Sequence, residues 1–150
     1  MFGVIGMNSD QRFRDLTDED RKWLSDQRSR VEQLLDGNPD AQRKYQTSAG
    51  KLGTIRAVLE GGIFRADQTF ELQGLGIIFG DAISAEMGLD WKMVEDQYGT
   101  SPCLALKGTS VVLYPQTMIS KRVERGETVD VFNLFNWLCS QIDELKAKEC

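Results

Sequence analysis

The chain has 150 residues, 41% of them apolar and 27% charged, with a net charge of −5. That composition is long and apolar enough for one domain with a substantial core, and no apolar run reaches the length a membrane helix needs. There is no histidine, which excludes Ser-His and Cys-His nucleophile pairs, the usual zinc sites and the commonest general base.

The first ten residues, MFGVIGMNSD, contain a short apolar patch without a basic flank. They do not match a secretory signal, and we expect a cytoplasmic protein. The first helix is expected to start at Thr17, with Asp20 three positions on completing a variant capping box. Leu16 is placed to act as a staple, and Trp23, Leu24, Val31, Leu34 and Leu35 recur at helical spacing.

DGNP then ends one helix and begins another, with Asn38 as cap and Pro39 in the first turn. The second helix is expected over residues 39–59, its apolar side formed by Ala41, Tyr45, Ala49, Leu52, Ile55, Val58 and Leu59. Gly50 and Gly53 lie inside it, and each costs about 1 kcal/mol relative to alanine if solvent-exposed.

The third helix is expected between Asp67, as N-cap, and Gly88, as C-cap. Leu72, Leu75, Phe79, Ile83 and Met87 form one stripe, and Ile77 and Ile78 lie off it. A helix apolar on more than one side belongs in the centre of a fold. Its segment GLGIIFGD has G-x-G-x-x-x-G spacing and helical rather than strand-like residues before it. It therefore lacks the context of a dinucleotide-binding turn. Gly76 and Gly80 share a helix side, so we expect them to admit a neighbouring backbone or a large ring, with Trp91 one candidate.

After Gly88 the period shortens. We expect a three-stranded antiparallel meander over residues 90–96, 102–107 and 109–114, with apolar residues of both parities in VVLY covered on both faces. Pro115 opens a short helix closed by Gly126. Asp130 then caps a last helix whose stripe is Val131, Leu134, Phe135, Leu138, Ile142 and Leu145. Lys146 and Lys148 suit its C-terminal end. The expected architecture is α+β: three N-terminal helices, the meander, then two C-terminal helices.

Cys103, Cys139 and Cys150 are odd in number and far apart, which fits neither a disulfide framework nor a metal cluster. Cys103 and Cys139 have apolar neighbours and read as small core hydrophobes. Asp81 and Glu86 are acids on an otherwise apolar helix. Each needs a partner if buried, and Lys121 and Arg122 are the candidate cations. Asp81, Glu86, Asp90, Glu95 and Asp96 surround Lys92 alone. With Tyr98 they suggest an acidic patch for a basic partner, although a solvated turn accounts for the same residues. Their spacing is not that of a calcium loop. Trp137 lies off the stripe of the last helix and is expected at an edge between elements or in a dimer contact.

The run LGIIFGDAISAEMGLDW, then VEDQYG, then GTSVVLYPQTMISKRVERGE, then VDVFNLF resembles the bacterial Domain of Unknown Function 3806 family over about residues 72–145. The resemblance implies a bacterial source and an α+β unit over residues 66–148, while residues 1–65 lie outside it and are read from their own pattern as the helical N-terminal part of the same single domain, residues 1–150. It carries no established reaction and no catalytic residue.

The expected function is a non-enzymatic protein-interaction module, of immunity or adaptor type. Its interaction patch is drawn from Asp81, Glu95, Asp96, Tyr98, Lys121, Arg122 and Trp137. No cofactor or metal is expected. The expected partner is another protein of basic character, not nucleic acid, because phosphate binding needs clustered Lys and Arg. Both a monomer and a homodimer through Trp137 fit. The alternative is a carboxylate-based hydrolase or small-ligand-binding protein using Asp81, Glu95 and Tyr98, which requires those groups to converge in a concave site.

Overall fold

The computed structural model describes residues 4–5 and 11–149. Most of the N-terminal apolar patch, and Cys150, lie outside the described residues. The elements run β1 (Val4–Ile5), β2 (Arg12–Arg14), α1 (Asp18–Glu32) and a short 3-10 turn (Gln33–Leu35). These are followed by α2 (Pro39–Tyr45), α3 (Ser48–Glu60), α4 (Thr69–Met87), β3 (Asp90–Asp96), β4 (Gly99–Ala105), β5 (Val112–Leu113), α5 (Gln116–Glu124) and α6 (Val131–Glu149). The α+β class is as expected, but the element counts differ.

The strands form one antiparallel sheet in the order β1-β5-β4-β3-β2. It has five strands instead of three because two N-terminal segments pair onto its edges. Strands of two and three residues are too short to show any alternation, and the charged ends of Arg12–Arg14 suit an edge. The central meander also differs in detail. β4 begins at Gly99 and not at residue 102, because Asp96 accepts from the Tyr98 backbone N–H at 2.8 Å and Gly99 turns at φ +126°. β5 is only two residues long, since residues 106–110 make a turn closed by Thr109 N to Leu106 O at 3.1 Å.

The expected second helix is two helices. Thr47 breaks it: its backbone is extended, its hydroxyl donates to Lys44 O at 2.9 Å, and it accepts from Gly50 N at 2.9 Å. Thr47 is thus the N-cap of α3. Gly50 is required by that corner, because a Cβ there would lie 1.7 Å from Lys44 O. The other expected caps form. Thr17 and Asp20 make the capping box, Asn38 accepts from Ala41 N at 3.1 Å, and Asp130 accepts from Asn133 N at 3.1 Å. Gly88 is left-handed at φ +72°. Asp67 is not a cap. It pairs with Arg65 at 3.0 Å, and α4 begins two residues later.

α4 is the central rod. Residues 74–80 are all buried, and α1, α3, α5 and α6 pack around it. Phe79 meets Phe135 of α6 edge-on, with ring centroids 6.2 Å apart. Its glycines are the points of closest approach. A Cβ on Gly74 would meet Gln27 O at 2.4 Å, on Gly76 Pro115 O at 2.4 Å, and on Gly80 the Trp91 ring at 2.6 Å. The expected packing role of Gly76 and Gly80 is what the structure contains, and Trp91 is the ring.

On the sheet, Trp91, Leu104 and Leu113 join the main core. Val94, Cys103 and Val112, of opposite parity, form a second buried cluster with Phe13 and Tyr114. Both faces are thus apolar and buried at the centre. On α1, Leu24 and Val31 are buried, but Trp23 is exposed, as is Leu34 in the 3-10 turn that follows. The inner face of α1 instead carries Gln27, buried and satisfied. Gln116 Nε2 donates to its Oε1 at 2.8 Å, and its own Nε2 donates to Gln73 Oε1 at 3.3 Å.

Candidate functional site

Asp81 lies on the side of α4 facing α1 and β3. Arg28 Nε and Nη2 donate to its two oxygens at 2.7 and 2.8 Å, and Trp91 Nε1 donates at 3.0 Å. The partner of Asp81 is therefore Arg28, not Lys121 or Arg122. A planar guanidinium matches a carboxylate in two parallel bonds, which a lysine cannot do. Burial alone would lower the Arg28 pKa, and the Asp81 bonds and charge more than reverse that, so the guanidinium stays charged. With three N–H donors on one carboxylate, the group clamps α1, α4 and β3 together. Glu86 needs no such partner, because it is exposed.

The remaining predicted residues take no part in this clamp. Glu95 pairs with Arg14 at 2.9 Å, and Arg14 also pairs with Asp20 at 2.6 Å. Lys92 pairs with Asp15. The expected acidic patch thus receives Arg28, Arg14 and a paired Lys92, two of these cations brought from the first 30 residues. Tyr98 is 88% exposed at the β3–β4 turn. Lys121 is exposed, and Arg122 donates to Met118 O on its own helix. Trp137 is 39% exposed on α6.

The Arg14 cluster has a pH consequence. The Arg14 hydrogen bond, followed by that from the Thr17 backbone, holds the Asp20 carboxyl down at about 2. A depressed carboxyl stabilises the fold above its unfolded pKa of about 4, and that contribution disappears as pH falls towards 2. Urea midpoints are expected to fall across that window more steeply in the wild type than in Arg14→Gln. Parallel pH profiles for the two proteins would refute the assignment.

Burial pushes the Cys103 thiol pKa up to about 12 and that of Cys139 up to about 11. Among the described residues, no group of three or more His, Cys, Asp or Glu side chains is placed to hold a metal ion. No helix among them is long and apolar enough to cross a membrane.

The concave surface lies elsewhere. A groove of about 760 Å³ runs along α3 where it meets α2 and the 3-10 turn. Its floor includes Ala49, Gly53 and Ala57, and its walls include Leu34 and Ile63, which are 46% and 51% exposed. A smaller cleft of about 240 Å³ lies between the end of α3 and the α5–α6 connection. Neither is lined by Asp81, Glu95 or Tyr98.

Gly53 is the informative residue of the groove. It sits inside α3, where glycine costs about 1 kcal/mol relative to alanine. A Cβ there would meet nothing within 4 Å. Gly50, Gly74, Gly76 and Gly80 are each explained by a contact within the fold, and Gly53 is not. The signal was in the sequence as a second glycine inside a helix, but only the packing separates Gly53 from Gly50.

The family described as Domain of unknown function (DUF3806) matches residues 51–135. The chain belongs to the DUF3806 family. The DUF3806 match starts in α3 and ends in α6, earlier at both ends than the expected span of residues 72–145. It therefore includes Gly53, Ala57 and Ile63 of the groove as well as the α4–β3 clamp.

No curated protein matches the chain. A crystal structure of a protein from Bacteroides thetaiotaomicron resembles this DUF3806 chain with a TM-score of 0.69 at 17% identity. The likeness covers 92% of this chain and 49% of that one, so the present chain spans about half the length of that neighbour. At this identity the likeness is one of fold.

Proposed function

We propose that this chain is a non-catalytic protein-binding module whose recognition surface is the α2–α3 groove. The observation that carries the reading is Gly53. It is a helix-weakening residue with open space above it, on the floor of a solvent-open apolar groove. A missing side chain that the fold itself does not use is accounted for by the close approach of a partner. The exposed Leu34 and Ile63 walls supply the apolar area that such a contact buries.

A second surface is favoured by one observation, the nearly complete exposure of Tyr98 beside Glu95 and Asp96. Tyrosine is enriched at interfaces. On this reading the β3–β4 turn meets a basic partner, as an immunity or adaptor protein would.

One experiment separates the two surfaces. A photo-crosslinker is placed at Ala57 in the wild type, in Gly53→Leu, and in a Glu95→Lys/Asp96→Lys variant, and the crosslinked partner segment is mapped. The groove reading expects one defined segment that is lost in Gly53→Leu and kept in the charge-reversed variant. The opposite pattern would transfer recognition to the turn, and an identical map in all three proteins would reject the groove.

A further inference from the structure

We propose that the occupant of the α2–α3 groove is an amphipathic helix of another protein, with acidic residues flanking its apolar face. This rests on the groove reading above and names the chemistry of the partner. The first ground is shape. Ala49, Gly53 and Ala57 recur at i, i+4 and i+8, so they line one side of α3. They extend over roughly 12 Å, about two turns of an opposing helix. Small residues in such a line let two helix backbones approach closely, and Leu34 and Ile63 stand on the rims as contacts for larger side chains.

The second ground is charge. Residues 36–67 carry Arg43, Lys44, Lys51, Arg56 and Arg65 against Asp36, Asp40, Glu60 and Asp67, a net +1 within a chain of net −5. Most of these cations are engaged. Arg43 pairs with Asp40, and Arg65 pairs with Asp67. Lys51 donates to Tyr45 O and lies 4.5 Å over the Tyr45 ring, and Arg56 lies 5.2 Å over the Phe132 ring. Lys44 is the charged residue in the groove lining, and among the described residues its ammonium has no ion pair or hydrogen bond. An apolar groove with an uncompensated cation at its side complements an apolar face flanked by carboxylates. It opposes a second copy of this chain docking through the same face, which would bring like charges together.

The test uses two fluorescent designed peptides of about 20 residues, long enough to populate helix. They share one leucine-alanine face and differ only in flanks of glutamate or of lysine. Fluorescence anisotropy is expected to show the glutamate peptide binding about tenfold or more tighter at low salt, the gap narrowing at about 0.5 M salt. Lys44→Glu is expected to erase or invert the preference. Gly53→Leu is expected to abolish binding of both peptides while its thermal melt stays cooperative, since leucine is a good helix former and the space above is open.

Equal binding of the two peptides, with both lost in Gly53→Leu, would overturn the acidic flank and keep the groove. Binding of the glutamate peptide unchanged by Gly53→Leu would overturn the groove reading itself. No binding of either peptide overturns the helical occupant. If decanoate then binds and Gly53→Leu prevents it, the groove belongs to apolar carboxylates of low molecular weight.

Discussion

Gly76→Ala is expected to destabilise the protein by about 2–4 kcal/mol. The added Cβ would lie 2.4 Å from Pro115 O and 2.5 Å from Gln116 O. These are backbone atoms at the start of α5, and Pro115 O is already held by Met118 N at 3.1 Å. They cannot rotate aside as a side chain would. Relief requires α5 to move away from α4, which opens the buried contacts of Met118 and Ile119 with the main core. For a chain of this size the melting temperature should fall by about 5–12 °C. Calorimetry on the wild type, Gly76→Ala and Gly80→Ala tests this. Gly80→Ala presses on the Trp91 ring, and its cost depends on how far the indole can shift. A Gly76→Ala melting temperature within about 2 °C of wild type would show that α4 and α5 are not packed backbone to backbone.

Asp81→Ala is expected to cost about 2–4 kcal/mol, for a different reason. The substitution leaves the Arg28 guanidinium and the Trp91 indole N–H facing a methyl group. Removing one partner of a buried pair costs about 3–5 kcal/mol. The pair is only partly covered, with side chains 24% and 17% accessible, so the lower range applies. Asp81→Asn keeps a carbonyl acceptor and should cost less, about 1–2 kcal/mol. Arg28→Met combined with Asp81→Leu should recover part of the loss, because both charges are then gone. Urea unfolding followed by tryptophan fluorescence measures all four proteins. Additive costs of Arg28→Ala and Asp81→Ala in a double-mutant cycle would contradict the clamp.

The two predictions differ in what the sequence reveals about them. The Gly76 contact belongs to a pattern visible in the chain. An apolar helix with glycines four apart must be central, and something must come close to it. The structure supplies Pro115, Gln116 and Trp91 as the neighbours. The Asp81 clamp shows the reverse. A buried acid predicts a cation, but the sequence contains many, and Arg28 lies 53 residues away. Lys121 and Arg122 are nearer along the chain, at about 40 residues, and neither is the partner. The acidic patch shifted for the same reason, since Arg14 and Arg28 come to it from segments with no local link to β3.

The groove stands between these cases. Gly50 and Gly53 were both visible as helix-weakening residues. Their meanings diverge only in three dimensions, where Gly50 closes the α2–α3 corner and Gly53 faces open space.

From its own residues, the chain determines what depends on neighbours within a few positions. The caps at Thr17, Asn38, Asp130 and Gly88, the central character of α4 and the two-faced burial of the sheet centre are all of this kind. Local hydrogen bonds and side-chain periodicity act over one or two turns, and a sequence records them directly. Tertiary structure alone decided the edge strands, the partner of Asp81 and the identity of the groove. Each of those depends on which distant segments come to share a surface, and that is set by the summed burial of the whole core and not by any residue read beside its neighbours.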